Sequence, residues 1–285
     1  MVSVHSEIGR LRQVLLHEPG KEVDQMIPEM MEELLFDDIL YGDQAREEHG
    51  RFRRILQLLG VEIFESQQLL SETLQFDEAR AWLWPRLVEH VEPDFEGLWN
   101  ELPPKELAEA LVGGYRRPRT DPTRMTKHDL FSITPLPNWC FQRDPQVVMY
   151  EGVMFGAMCS PARQRETLYS QAIFRFHPML RETPIFFDPA EATDRSHLLL
   201  RLQQPELEGG DFLVLSEDIL LVGCSQRTND VAIHYLANEL ACKEHGPRWM
   251  FVVDLPKKRA YMHLDTLMTP VDHDTALVYP PVILS

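Results

Sequence analysis

Phe212-Leu-Val-Leu215, a Ser216-Glu-Asp218 break and Ile219-Leu-Leu-Val-Gly223 lead into Thr228 and a stretch carrying Ala232, Leu236 and Leu240. This segment decides the fold class. Short apolar runs bounded by polar turn residues read as a hairpin of buried strands. The four-residue spacing of Ala232, Leu236 and Leu240 lays one apolar stripe along a helix, which Thr228 is placed to cap. Trp249 to Val253 returns as a strand. The unit is therefore two strands, a helix and a strand.

The same unit recurs on either side. Val147 to Tyr150 and Val153 to Met158 flank a Glu151-Gly152 turn, Pro161 starts a helix through Phe176, and Ile185-Phe-Phe187 is the returning strand. Near the start, Val14-Leu-Leu-His17 reads as a strand. Gln44 to Leu59 follows as an amphipathic helix with Phe52, Ile55, Leu56 and Leu59 on one face, then Gly60 and the strand Val61-Glu-Ile-Phe64. His263 to Thr269 and Ala276 to Tyr279 open a further unit that is only half built at Ser285. The expectation is an α/β chain with an internal structural repeat, incomplete at its C-terminus, with a sheet edge left uncovered. That pattern fits a truncated chain, a fragment, or a protein completed by another polypeptide. Residues 1–65 form the first repeat of this organisation and 121–285 the later ones. Residues 66–120 are a helical insertion read from Asp77 to His90, Asp94 to Asn100 and Pro104 to Leu111. The basic run Arg116-Arg-Pro-Arg119 and Thr120-Asp-Pro122 read as a polar connector.

Length and charge narrow the function. At 285 residues, with 44% hydrophobic and 26% charged residues, the chain has material for a sizeable core. A net charge of -17 repels nucleic acid and anionic membrane surfaces. No apolar run reaches the roughly 18 to 20 residues that span a bilayer. His5, Glu7, Arg10 and Arg12 interrupt the region where a secretory signal would lie, which gives a cytoplasmic expectation. Cys140, Cys159, Cys224 and Cys242 form no C-x-x-C pair and read as free thiols in a reducing compartment.

Polar residues cluster at matching places in the repeats. Asp144 and Glu208-Gly-Gly-Asp211 precede the hairpins, and His263 and Asp265 open the last one. Arg163 and Arg227 stand where helices begin, so the repeat brings them toward one centre. Carboxylates aimed at one point suit a planar cation such as guanidinium, and arginines at helix starts suit a carboxylate. In a strand, the i, i+2 spacing of His263 and Asp265 turns both to one face. The two glycines permit positive φ or close backbone approach, letting Glu208 and Asp211 face a site. A ligand with both ends is a guanidino amino acid. A metal site at His263, Asp265, Asp272, His273 and Asp274 is the competing reading of the same histidine.

Leu136-Pro-Asn-Trp-Cys-Phe-Gln-Arg-Asp144, Ser160-Pro-Ala-Arg-Gln-Arg-Glu-Thr167, Leu207-Glu-Gly-Gly-Asp211, Gln226-Arg-Thr228 and Met262-His-Leu-Asp-Thr266 resemble the successive motifs of arginine deiminases. Val4 to Gly9, Val14 to Gly20 and Leu34 to Ile39 resemble that family's opening segment. The resemblance implies a pentein-like, pseudosymmetric α/β propeller of ββαβ repeats and the hydrolysis of L-arginine to L-citrulline and ammonia. It implies neither cofactor nor metal. By the same resemblance Asp144 and Asp265 grip the guanidinium, Arg163 and Arg227 hold the α-carboxylate, and Asn138 and Phe141 line the site. His263 serves as general acid and base, with Glu208 orienting it. The family's nucleophile is a cysteine in a glycine-rich stretch near the C-terminus, and residues 1–285 contain no match. Cys224, in an apolar setting, is the first resident thiol to consider, although such a setting leaves a thiol inert. Gln142 and Pro145, beside Asp144, depart from the family pattern. The alternatives are a guanidinium-binding pseudoenzyme and a hydrolase or amidinotransferase for another guanidine. A second copy, or a partner supplying the missing repeats, is the expected macromolecular company.

Overall fold

The short apolar runs form strands of two to six residues, which pair, among the described residues, in sheets of two or three. A computed structural model describes residues 2–34, 36–118, 126–189, 204–243 and 246–283. The chain folds as two units. One, rich in helices, comprises Leu11–Gln142 and Ser160–Arg181; the other, built on sheets, comprises Met1–Arg10, Arg143–Cys159 and Glu182–Ser285.

In the helix-rich unit, β1 (Gln13–Leu16) pairs in parallel with β2 (Glu62–Glu65), Val14 opposite Ile63. The crossover contains α1 (Lys21–Asp24) and α2 (Gly42–Leu58). Then come α3 (Ser66–Thr73), α4 (Asp77–Leu87), α5 (Phe95–Glu101) and α6 (Pro104–Gly113). The strand β3 (Tyr115–Arg116) pairs antiparallel with β4 (Phe131–Ile133), with α7 (Lys127–Leu130) between them. α8 (Gln164–Phe176) packs on α3 and α4. Leu70, Leu83, Leu107, Leu111 and Tyr169 are fully buried in this unit, and removal of that apolar surface from water drives its packing. The apolar stripe of α2 behaves otherwise: Ile55 is 57% and Leu59 66% exposed. Of the basic connector, Arg117 donates to both Asp94 oxygens, at 2.8 and 2.5 Å. Arg119 to Pro122 lies outside the described residues.

A buried ionic cluster ties β1, α1 and β2. His17 places Nδ1 2.9 Å from Glu65 Oε1 and Nε2 3.1 Å from Glu22 Oε1, with its ring centroid 5.0 Å from that of Trp139. Burial disfavours the imidazolium, but the bonds and charges of Glu22 and Glu65 outweigh it and push His17 up to about 9.

The sheet unit holds two sheets of one topology. β5 (Gln146–Met149) is antiparallel to β6 (Gly152–Phe155), and β6 is parallel to β7 (Ile185–Phe187). β8 (Phe212–Val214) is antiparallel to β9 (Ile219–Cys224), and β9 is parallel to β10 (Trp249–Asp254). α9 (Asp230–Ala241) connects β9 to β10 and buries Ala232, Leu236 and Leu240, as their spacing predicts. Its cap is one residue later than expected: Asn229, not Thr228, accepts the Ala232 N–H at 3.0 Å. Phe187, Phe212, Val222 and Leu236 lie in one core cluster with Val147 and Met154. The β5–β6 turn lies at Tyr150-Glu151 rather than Glu151-Gly152. Tyr150 takes a φ of 49° there, anchored by a backbone bridge to Val4.

The last unit departs most from the sequence reading. His263 is extended, but Leu264–Thr266 is a 3-10 turn, and strand β11 (Met268–Asp272) begins only afterwards, pairing with β12 (Thr275–Val278). The short helix α10 (Pro280–Ile283) follows. Among the described residues β10 is an edge strand, with Trp249 56%, Phe251 53% and Val252 52% exposed. A groove of about 940 Å³ runs beside it, lined by Leu221, Phe251, Val252, Val282 and Ile283 among others. Among the described residues no helix is long and apolar enough to cross a membrane.

Two outcomes follow from this packing. Leu236→Ala lowers the free energy of unfolding by about 2 to 5 kcal/mol in chemical denaturation, through lost transfer energy and the cavity left behind. The proton that His17 gains in the fold stabilises fully below its ordinary value near 6.5 and is lost as pH rises through about 9. Thermal unfolding of the wild type therefore weakens between those limits, and Glu22→Gln flattens the slope; equal slopes in both would assign the effect elsewhere.

Candidate active site

Three segments of the sheet unit meet: the start of β5, the Glu208-Gly-Gly-Asp211 turn before β8, and the turn after His263. Asp144, Glu208 and His263 are all buried there, each offering a ligand atom within 4.8 Å of the others. His263 Nε2 lies 2.9 Å from Glu208 Oε2, and Nδ1 lies 3.9 Å from Asp144 Oδ1. The other Glu208 oxygen accepts the Cys159 N–H at 3.2 Å, and the Glu208 backbone N–H donates to Thr228 Oγ1 at 3.2 Å. Asp144 accepts the Gly210 N–H at 3.2 Å.

Glycine is needed at 210 for proximity. A Cβ there would sit 2.7 Å from His263 Cγ and Nδ1, inside any van der Waals contact. The backbone at 209 and 210 keeps negative φ, so close approach, not an unusual dihedral, explains the pair. The two acids of this motif diverge. Glu208 turns to His263, whereas Asp211 is fully buried and bonds Ser225 and Leu264.

Burial works against a charged His263, but the Glu208 bond and the charges of Asp144, Glu208 and Asp211 prevail and push it up to about 9. At neutral pH the ring is an imidazolium. Asp265, in the 3-10 turn, feels the charges of His263 and Asp144, and burial raises its carboxyl above the usual range. Asp144, Glu208 and Asp265 set three carboxyl groups against one imidazole, an arrangement that favours a cation with several in-plane donors.

The remaining expected residues are placed as follows. Arg227 is buried in the sheet unit, its backbone N–H donating to Ser225 Oγ at 2.9 Å. Its guanidinium bonds the Cys159 side chain. Arg163, Asn138 and Phe141 belong to the helix-rich unit. Arg163 is paired with Glu166, Nη2 to Oε2 at 2.9 Å, and the Asn138 amide donates to Leu34 O at 2.8 Å. Phe141 is 55% exposed. Asp272, His273 and Asp274 are exposed at the β11–β12 turn, so the described residues gather a different possible ligand set from the one expected. Cys224 is not in a purely apolar setting: Lys257 Nζ approaches its sulfur to 3.3 Å. Cys159, not singled out from sequence, is the thiol residue beside Glu208. Nothing but an adjacency in the fold reveals it, and burial pushes its thiol up.

An NMR titration checks the central pair. His263 is expected to titrate near 9, and Glu208→Gln to bring the midpoint down toward the ordinary imidazole range. An unchanged midpoint would give Asp144, not Glu208, the controlling part.

Comparison with known proteins follows the same lines. The family model described as arginine deiminase matches residues 32–285. The arginine deiminase of Bacillus cereus (strain ATCC 10987) is 32% identical over 297 residues, covering 99% of this chain and 70% of the relative. That of Bacillus thuringiensis subsp. konkukian has the same identity and coverage, 32%, 99% and 70%. Among solved structures, the inosamine-phosphate amidinotransferase of Streptomyces griseus gives a TM-score of 0.53 at 15% identity, over 99% of this chain and 70% of that one. An amidinotransferase of saxitoxin biosynthesis from Microseira wollei gives 0.54 at 14% identity, over 99% and 70%. At these identities the structures speak for a shared α/β fold alone. The extent of the family match and of the alignment to the Bacillus enzymes carries the conclusion: this chain belongs to the arginine deiminase family.

Proposed function

We propose that the Asp144–Glu208–His263 site binds a guanidino amino acid and serves an arginine deiminase reaction, L-arginine and water giving L-citrulline and ammonia. The observation that carries the reading is the convergence of two buried carboxylates on one protonated imidazole in a family of arginine deiminases. Asp144 and Asp265 take the guanidinium and Arg227 the α-carboxylate; the family resemblance adds Arg163 for the α-carboxylate and Asn138 and Phe141 as lining residues. In the reaction a thiolate attacks the guanidinium carbon and the C–N bond to the departing nitrogen breaks. His263, held as the imidazolium, gives that nitrogen its proton so that it leaves as ammonia. The neutral ring then takes a proton from water, which attacks the same carbon and releases the sulfur. Glu208 keeps the ring oriented through Nε2 in both protonation states.

The attacking thiolate comes from the family resemblance and is assigned to none of Cys140, Cys159, Cys224 and Cys242. Burial pushes Cys140 up to about 12 and raises Cys159, opposing a thiolate at either. A complete pseudosymmetric ββαβ propeller, and a second copy or partner chain along the apolar groove beside β10, belong to the same proposal.

Calorimetry with L-arginine, and ammonia and citrulline assays with arginine, agmatine and methylated arginines, test it. Arginine is expected to bind, with affinity falling about tenfold or more in Asp144→Asn, and to yield citrulline. Turnover of another guanidine while arginine stays inert would overturn the substrate; binding without turnover would make the protein a sensor.

A further inference from the structure

Asp211 is fully buried and lies outside the set that faces the proposed ligand, yet it bonds to two of the segments that carry that set, the turn after His263 and the turn of Arg227. Oδ2 accepts the Ser225 hydroxyl at 2.6 Å, and Oδ1 accepts the Leu264 N–H at 2.9 Å. Ser225 Oγ in turn accepts the backbone N–H groups of Arg227, at 2.9 Å, and Thr228, at 3.1 Å. The Thr228 side chain also bonds Asp211 and accepts the Glu208 N–H. β9 makes room for this carboxylate: a Cβ on Gly223 would sit 2.4 Å from Asp211 Oδ1 and 3.0 Å from Leu264 Cβ.

We infer that Asp211 is a positioning residue of the site. Through the Leu264 N–H it fixes the backbone between His263 and Asp265, and through Ser225 it fixes the turn that carries Arg227. The assignment rests on the guanidino-site reading for its functional meaning and on the bond geometry for its mechanical one. A buried carboxylate that accepts several donors from separate segments is costly to remove, because each donor is left unsatisfied in a dry interior. Its charge adds a second action. Asp211 is one of the anions that favour the His263 imidazolium, and although burial pushes Asp211 itself up to about 6, it is ionised at neutral pH.

Two variants separate positioning from simple support of the fold. Asp211→Asn keeps an oxygen for the Leu264 N–H but drops the charge, and Ser225→Ala keeps the charge but frees the turn of Arg227. Each is measured by NMR titration of His263, by calorimetry with L-arginine, and by thermal unfolding. Asp211→Asn is expected to move the His263 midpoint to lower pH and weaken arginine binding about tenfold. Ser225→Ala is expected to weaken binding several-fold with the His263 midpoint held. If both variants unfold earlier but keep the wild-type midpoint and affinity, Asp211 is structural only and the inference fails. Should Asp211→Asn not fold, wild-type affinity in Ser225→Ala overturns it alone. Should the wild type not bind arginine, the proposed function fails, and the His263 midpoint still decides whether Asp211 acts on that ring.

Discussion

Holding several carboxylates and one imidazole out of water is the constraint on which the site depends. Unpaired, each charge would cost several kcal/mol. The fold meets this by spending backbone N–H groups on the acids: Gly210 on Asp144, Cys159 on Glu208, Leu264 on Asp211. A dense set of short turns, rather than strands, supplies those donors. Regular strands would have used the same N–H groups in their own ladders.

The chain uses the histidine–carboxylate device twice, with different openness. At His17 both ring nitrogens are engaged, by Glu65 and Glu22, and the ring packs near Trp139, so its proton is committed to structure. At His263 one nitrogen is fixed by Glu208, while the other faces Asp144 across 3.9 Å, too far for a direct hydrogen bond. That slack separates a ring engaged at both nitrogens from one engaged closely at a single nitrogen.

Periodicity made the hairpins and helix of residues 212–253 legible, because burial of Leu236 or Phe212 is a matter of pattern. It failed where a local bond competes with pattern. His263 and Asp265 carry a strand-like spacing, yet Asp211 captures the Leu264 N–H and the chain turns as a 3-10 helix. Thr228 looked like a cap because it is the right type, but its hydroxyl already serves Glu208, and Asn229 takes the role. The same limit applies to Asp211 itself. Its motif gives the acid, and only the fold gives the donors. Arg163 shows the converse: its helix-start position was readable, and its pairing with Glu166 three residues on was not read.

The open flank of β10 has a colloidal consequence. Exposed Trp249, Phe251 and Val252 lie on a strand edge that no other strand pairs among the described residues, the kind of surface along which separate molecules zip together. The net charge of -17 opposes such association in dilute buffer. Added electrolyte shortens the reach of that repulsion to about 8 Å at physiological strength while leaving the apolar attraction in force. Sedimentation of this protein should therefore depend on ionic strength in the sense opposite to that of a complex held by ion pairs, with larger species gaining as salt rises.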